Sequence, residues 1–214
     1  MKLYYYPLST YSQKVMIAFN EKQIAYEPHL VDLMSPEGRA AYEKINPLGK
    51  VPFLKPSEDW QVPESTSIIE YLEDEFPDTR RLIPAERRAA RQVRFMDRMS
   101  DLYYNEAVVE LLFQNLGFRP GDAEKAAKAR KYIAMSYAHW DKRLASQPWM
   151  CGNDFSMADC AVIPVMYYAQ TAAPFADFAN VSAYWKRAQE RPSYAKVKAE
   201  AEPIWKAMMA KGAA

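Results

Sequence analysis

The stretch from Asn46 to Phe76 constrains the fold of this chain more than any other part. Val51-Pro52 is an X-Pro step, and two short apolar runs separated by a polar segment follow it, so a β-hairpin is predicted between Phe53 and Val62. Glu64-Ser65 then precedes apolar residues at helical spacing, which continue until Pro77. A strand, a turn, a second strand and a helix are therefore expected within this one stretch.

Two interpretations of this stretch stay open on spacing alone. A cis peptide at Pro52 would turn the backbone N–H and C=O of Val51 outward, where they can pair with an extended ligand. Ser65 at a helix start offers a hydroxyl and unpaired backbone N–H groups, which suit a carboxylate. The same residues also fit a strand, a turn and a helix cap with no ligand.

The residues before this stretch predict a β-α-β unit. Lys2 to Tyr6 is a strand rich in Tyr, and Tyr26 to Val31 indicates a second strand. A helix between them ends near Lys22, and three hydroxyl residues are candidates for its cap: Ser9, Thr10 and Ser12. Arg39 to Ile45 adds a short helix or helical turn. With the hairpin and its helix, this is the element order of a thioredoxin-like fold.

Beyond a polar linker, Asp78 to Ala85, nearly every predicted element is a helix. The predicted helices cover Glu86 to about Leu116, Ala123 to Leu144, a helix opened by Phe155 to Asp159, Val181 to Glu190, and Ser193 to Lys211. Ser156 and Asp159 have the spacing of a capping box, so we assign them to folding and not to catalysis. The predicted class is an α+β protein of two domains: a thioredoxin-like domain at 1–78 and an all-helical bundle at 86–214.

Composition excludes several classes of function. The net charge of +1 gives no electrostatic case for binding nucleic acid or an anionic membrane. No apolar run approaches the ~20 residues of a membrane span, and we expect no signal peptide. Cys151 and Cys160 form neither a disulfide framework nor a CxxC pair, so a reducing cytoplasm is expected. His29 and His139 are far apart, and no zinc site is predicted.

Three motifs together resemble the glutathione-binding half of the glutathione S-transferases: NPLGKVPFL from Asn46, the pair Glu64-Ser65, and IIEYLEDEFP from Ile68. The similarity runs in register from Met1 to about Pro84, and the segment near Ser156 resembles the capping motif of the family's helical domain. The resemblance implies a bacterial enzyme of the theta/delta-like serine type. It also implies glutathione as co-substrate, no metal, and a cytoplasmic homodimer that acts in detoxification.

The resemblance also implies a set of glutathione-binding residues. Val51, beside Pro52, pairs its backbone with the cysteinyl unit of glutathione. Glu64 and Ser65 hold the γ-glutamyl amine and carboxylate. Two basic side chains are candidates for assisting with the remaining carboxylate: Lys50, which also fits an ordinary solvated turn, and Arg39, whose spacing matches less well.

Two hydroxyl groups compete for the role of stabilising the glutathione thiolate. YYYPLSTYSQKV, from Tyr4, resembles the segment in which theta- and delta-like transferases carry their serine, and Ser9 occupies that position. Tyr5, two residues before Pro7, occupies the position of the strand tyrosine in mammalian alpha, mu and pi classes. Ser12 is a weaker third candidate. Ser9 also fits a plain helix cap and Tyr5 a core aromatic. Because residues 9–12 contain no Cys, thiol–disulfide exchange is not expected.

The second substrate is expected to be a hydrophobic electrophile held by the first long helix of the helical domain. Candidates to line that pocket are Tyr103, Tyr104 and Phe113, which also fit ordinary core packing. The leading hypothesis is conjugation of the glutathione thiol to this electrophile. The alternatives are a glutathione-dependent isomerase, dehalogenase or lyase on the same scaffold, or a non-catalytic regulatory or binding protein. No nucleic acid or membrane partner is expected.

Overall fold

A four-stranded sheet organises the N-terminal residues in this computed structural model, which describes residues 1–212. The strands are β1 (Lys2–Tyr5), β2 (Glu27–Leu30), β3 (Phe53–Lys55) and β4 (Val62–Pro63), in the order β2-β1-β3-β4. β1 is parallel to β2 and antiparallel to β3, which pairs with β4 in the predicted hairpin. The hairpin is thus confirmed, and the second strand is one residue shorter at each end than predicted.

Three helices within residues 1–81 accompany this sheet. They are α1 (Thr10–Lys22), α2 (Pro36–Glu43) and α3 (Ser65–Glu75). The prediction that the second helix begins at Arg39 is wrong, because the Ser35 hydroxyl accepts a hydrogen bond from the Gly38 N–H at 3.0 Å and starts the helix earlier. Pro36 suits this first turn, where its missing N–H has no helical partner to lose.

Alternation along β1 gives each face of the sheet its own apolar core. On one face Leu3 lies opposite Leu54, and both are 0% exposed. The other face packs a second cluster: Tyr4, Val31, Leu33, Tyr42, Val51 and Phe53. Tyr42 comes from α2, so that helix covers the second face, and the segment preceding β3 is packed against it through Val51.

A buried ion pair joins α1 to α3. The Lys22 Nζ lies 2.8 Å from the Glu73 Oε1, and the two side chains are 1% and 5% exposed. The same amine donates a hydrogen bond to the Arg80 carbonyl at 3.1 Å. Because an unpaired buried charge is strongly destabilising, this pairing explains how both charges are tolerated in the core.

A second compact unit, Leu82–Ala195, is helical. Its helices are α4 (Arg87–Met99), α5 (Glu106–Asn115), α6 (Ala123–Leu144), α7 (Met157–Ala172) and α8 (Ala179–Gln189), and α9 (Pro192–Gly212) begins there. The predicted single helix from Glu86 to Leu116 is wrong in one respect, since a π-helical segment, Ser100–Asn105, separates α4 from α5.

The cause of the π-helical segment is visible in the buried pattern. Met96, Ser100, Tyr104 and Val108 are all 0% exposed and recur every fourth residue. A regular α-helix repeats every 3.6 residues, so the wider π turn keeps all four side chains on the buried face.

Asp159 ties three elements of the helical unit together. Its carboxylate accepts hydrogen bonds from the backbone N–H groups of Met150 and Ser156, both at 2.9 Å, and from the hydroxyl groups of Ser156 and Tyr184. The predicted capping box at the start of α7 is confirmed. Burial raises the pKa of Asp159, and its position inside the unit fits the folding role that the sequence predicts.

The packing divides the chain differently from the predicted limits at 78 and 86. The first compact unit contains Met1–Arg81 together with the chain from Lys196 onward, which includes most of α9. The functional limits of the two domains stay a prediction, whereas the predicted α+β class is confirmed. No helix within residues 1–212 has the length and apolar character needed to cross a membrane.

Candidate functional site

The turn between β1 and α1 presents the hydroxyl group of Ser9. This residue is the N-cap of α1, and its Oγ accepts a hydrogen bond from the Ser12 N–H at 3.2 Å. Its own N–H donates to the Tyr6 carbonyl at 2.9 Å, which closes the turn. Among the described residues, no acceptor takes the Ser9 hydroxyl proton. Ser9 is half-buried, so this proton remains available to a ligand at the helix start.

The Tyr5 hydroxyl, in contrast to that of Ser9, already donates its proton to another side chain. Tyr5 is 7% exposed, and its hydroxyl donates to the Glu200 Oε1 of α9 at 2.5 Å; both residues belong to the first unit. Burial, and after it the Glu200 carboxylate, raises the pKa of Tyr5 well above its usual range. A phenol has one proton to donate, and here Glu200 accepts it.

Ser12, the third hydroxyl candidate, shapes the turn from inside. It is 0% exposed, and its Oγ accepts a hydrogen bond from the Tyr6 N–H at 3.3 Å. Gln13 supports the same turn, because its side-chain amide donates to the Pro7 carbonyl at 2.6 Å. These two buried residues hold the turn from which Ser9 projects.

The loop before β3 is held by two residues that sequence reasoning gave no role. The Tyr42 hydroxyl and the Asn46 side-chain amide both donate to the Lys50 carbonyl, at 2.7 and 2.8 Å. Asn46 also accepts a bond from the Leu48 N–H and, through its carbonyl, from the Gly49 N–H. Gly49 has φ +62°, a conformation that glycine adopts at little cost. The Asn46-Pro47-Leu48-Gly49 sequence was the signal for this turn.

This loop delivers Val51 with its backbone polar groups uncommitted. The Val51-Pro52 peptide is cis, as the first of the two interpretations required. Within residues 1–212, no hydrogen bond is formed by the Val51 N–H or C=O, whereas its side chain packs against the core cluster of the second sheet face. An extended ligand can therefore pair with this backbone as an added strand does.

Glu64 and Ser65 stand at the start of α3. Glu64 has φ +69° and ψ +127°, a conformation that is costly for any residue with a Cβ. It is the N-cap but forms no side-chain cap bond, and its carboxylate is exposed. Ser65 is 4% exposed as the first helical residue, so the unpaired N–H groups of this first turn lie beside it. The next residue, Thr66, accepts a hydrogen bond from the buried Lys14 amine at 2.9 Å.

The two basic candidates are both exposed. Lys50 uses its carbonyl to close the loop and extends its amine into solvent. Arg39 lies on α2, where its Nε donates to the Leu33 carbonyl and the rest of its guanidinium is exposed. Hydrogen bonds therefore fix the Lys50 backbone next to Val51 and the Arg39 side chain on α2.

The three aromatic candidates of the helical unit are in different environments. Tyr104 is 0% exposed, bonded to the Tyr137 hydroxyl and packed edge-on against Trp140, so it belongs to the core and not to an exposed pocket wall. Tyr103 is 39% exposed and packs edge-on against Tyr132. Phe113 is half-buried, with the Arg119 guanidinium 5.0 Å from its ring centre.

The two cysteines offer no reactive thiol. Cys160 is buried, and burial is the main cause that raises the pKa of Cys151 to about 12. A thiol with so high a pKa is almost entirely protonated near neutral pH and is a poor nucleophile. Within the described part of the chain, no group of three or more His, Cys, Asp or Glu residues is arranged to hold a metal ion.

Two family models match the chain, the glutathione S-transferase N-terminal domain over residues 3–80 and the glutathione S-transferase C-terminal domain over residues 106–187. The chain belongs to the glutathione S-transferase family. The predicted family is confirmed, and so is the predicted combination of a thioredoxin-like domain with a helical domain. The two domain matches and the relatives named glutathione S-transferase support a glutathione transferase.

Individual relatives come from several branches of the family. A maleylacetoacetate isomerase of Pseudomonas aeruginosa is 30% identical over 79% of this chain and 82% of its own. Glutathione S-transferase hmp2 of Hypomyces subiculosus is 28% identical over 94% and 99%. The crystal structure of poplar glutathione transferase F1 has a TM-score of 0.83 at 24% identity, over 94% and 98%, and shares the fold. The bacterial theta/delta-like type, the cytoplasmic location and the detoxification role stay predictions.

Replacing Glu64 with Gly removes the Cβ that opposes the positive φ, so we expect the free energy of unfolding to rise by about 1 kcal/mol. Chemical denaturation measures this change. Glu64→Ala is the matched control: it removes the carboxylate but keeps a Cβ, and it should change stability by less than about 0.5 kcal/mol. A Gly variant less stable than the Ala variant would contradict the assignment of strain to this backbone.

Proposed function

We propose that the protein joins the thiol of glutathione to a hydrophobic electrophile, with Ser9 donating its hydroxyl proton to the thiolate. One observation carries the choice of Ser9. Its hydroxyl accepts from the Ser12 N–H and keeps its own proton available, whereas the Tyr5 proton is bonded to Glu200. Conjugation requires the thiolate, because the neutral thiol is a poor nucleophile.

The energetics of this proposal are adequate without a general base. Lowering a thiol pKa from about 8.5 by two units requires about 2.7 kcal/mol of preferential stabilisation of the anion. A hydroxyl donor to a charged acceptor contributes roughly 1.5–3 kcal/mol. The N-terminus of α1 adds roughly 0.3–1 kcal/mol through its unpaired N–H groups. A hydroxyl at a helix start therefore supplies the required amount.

Glutathione is proposed to lie along three segments of the first unit. The uncommitted N–H and C=O of Val51 support pairing with the cysteinyl unit. The exposed carboxylate of Glu64 and the first turn of α3 at Ser65 support binding of the γ-glutamyl amine and carboxylate. The exposed amine of Lys50 is assigned to the glycyl carboxylate, with Arg39 as a secondary contact.

The electrophile is proposed to contact exposed aromatic surface of the helical unit. Tyr103 is the better supported residue because it is exposed, and Phe113 is half-buried. Tyr104 is left out of this proposal because its ring and hydroxyl are both used inside the core. Exposed aromatic rings of this kind favour an apolar second substrate.

Ser9 and Ser65 are expected to separate chemistry from binding. Ser9→Ala should raise the pKa of the bound glutathione thiol by about one unit or more, because the thiolate loses its only proposed hydroxyl donor. Its affinity for glutathione should change little. Ser65→Ala should weaken affinity about tenfold through a lost carboxylate contact, without changing that pKa. Difference absorbance of the thiolate band against pH and isothermal calorimetry measure the two quantities.

Two variants control this experiment. Ser9→Thr keeps a hydroxyl at the cap and should retain the low thiol pKa. Ser35→Ala removes an equivalent cap bond from α2 and should leave the thiol unchanged. A thiol pKa that is unaffected by Ser9→Ala would rule Ser9 out, and failure of the unmodified protein to bind glutathione would favour the non-catalytic alternative.

A second candidate, a glutathione-dependent isomerase, is favoured by the relatives that are named maleylacetoacetate isomerases, one of them 32% identical over 78% of this chain. The two reactions differ in what happens to the thiol: conjugation consumes it, and isomerisation returns it. We expect loss of free thiol, measured by thiol titration, with an activated aryl halide as the electrophile. Turnover of a maleyl-type cis alkene with no loss of thiol would establish the isomerase instead.

A homodimer is the proposed assembly, and α4 offers a surface for it. Four arginines lie on one helical face: Arg87, Arg91, Arg94 and Arg98. Phe95, on the same helix, is 51% exposed and offers an apolar contact beside them. Acidic residues near the end of α3, Asp74 and Glu75, supply the opposite charge on a second copy.

Sedimentation equilibrium should give twice the chain mass of 24.7 kDa for the unmodified protein. Phe95→Glu should shift the mass toward the monomer, because it removes the large exposed apolar side chain of α4 and places a carboxylate there that would face Asp74 and Glu75 of the second copy. Met135→Glu, at a residue of α6 that is also 51% exposed, should leave the mass unchanged. A monomer before any substitution would refute the assembly.

A further inference from the structure

The contact between Tyr5 and Glu200 joins the first strand of the chain to its last helix. The hydroxyl-to-carboxylate distance is 2.5 Å, and the two residues are 195 positions apart. Val197 and Ala201, on the same side of α9, are 1% and 5% exposed, so the helix is seated by apolar packing on both sides of Glu200. Glu200 itself is exposed, and its carboxylate accepts the hydrogen bond of the Tyr5 hydroxyl.

Tyr5 is held at both ends. Its carbonyl accepts a hydrogen bond from the Val31 N–H at 2.9 Å, which fixes the backbone in the sheet, and Glu200 fixes the far end of the side chain. The next residue, Tyr6, uses both of its backbone groups in the turn that carries Ser9: its N–H donates to Ser12 and its C=O accepts from Ser9. An unbroken series of bonds therefore runs from Glu200 to Ser9.

We propose that Glu200 is a positioning residue of the thiolate site: by holding the Tyr5 side chain it fixes the strand end from which the Ser9 hydroxyl is presented. The inference rests on the proposed function, since it assigns Glu200 a role in the chemistry of Ser9. Glu200 acts through Tyr5 and does not contact the thiol. A tether that only stabilised the fold would lower the melting temperature without changing the bound thiol.

The measured quantity is the pKa of the glutathione thiol bound to the full chain, from the thiolate band. Glu200→Ala should raise this thiol pKa by about half a unit or more. At a pH below the pKa, this corresponds to roughly a threefold loss of thiolate. Glu200→Gln keeps an oxygen that accepts the phenol proton and should restore most of the effect. Glu202→Ala is the matched control, because Glu202 lies on the same helix but pairs with Lys206, and it should change nothing.

A double-mutant cycle tests whether the effect passes through Tyr5. Tyr5→Phe should raise the thiol pKa as much as Glu200→Ala does, and the double variant should show no further rise. The inference would be overturned if the two single effects were additive, or if Glu200→Ala left the thiol pKa unchanged or lowered it. It would also be overturned if Tyr5→Phe raised the thiol pKa by about one unit more than Glu200→Ala does, which is a tenfold difference in thiolate. The last result would also replace Ser9 by Tyr5 in the proposed function. Absence of a thiolate band in the unmodified protein would overturn both proposals, whereas a normal band with the variants unchanged would overturn this one alone.

Discussion

A hydroxyl group has a single proton to donate, and the organisation of the β1–α1 turn follows from that limit. Tyr5 donates to Glu200, and the buried Ser12 accepts from the backbone inside the turn. Ser9 accepts its cap bond from the Ser12 N–H, which leaves its proton uncommitted. These hydrogen bonds leave the Ser9 proton uncommitted and engage that of Tyr5, and the proposed role of Ser9 rests on this difference.

The remainder of the proposed site is presented mainly by backbone. Asn46 and Tyr42 both bond the Lys50 carbonyl, and this fixed loop leads into Val51, whose backbone polar groups form no hydrogen bond within residues 1–212. At the start of α3 the unusual φ of Glu64 sets the direction in which the first helical turn faces. Side chains such as Tyr42 matter here because they hold the chain in position, and the proposal then uses backbone groups at Val51 and at the start of α3.

Many features of the fold and of the candidate site can be predicted from the sequence, because they depend on local patterns. The hairpin, the capping box of Ser156 and Asp159, and the loop at Asn46 depend on residues within a few positions of one another, and turn and cap chemistry predicts them. The π-helical segment was not predicted, because one of its buried residues, Ser100, is polar and its burial is seen only in the structure. For Tyr104 the sequence leaves a pocket wall and core packing open, because the spacing of a core residue is the same as that of a lining residue.

The sequence by itself determined the element order, the family motifs and the two candidate hydroxyls, since each depends on short-range patterns. The tertiary structure adds a contact that spans 195 positions, between Tyr5 and Glu200, and the proposed role of Ser9 rests on it. No local pattern predicts that a glutamate on α9 accepts the proton of a tyrosine on β1, because the pairing exists only after both elements have packed in the first unit. Long-range hydrogen bonds of this kind are a consequence of the assembled core.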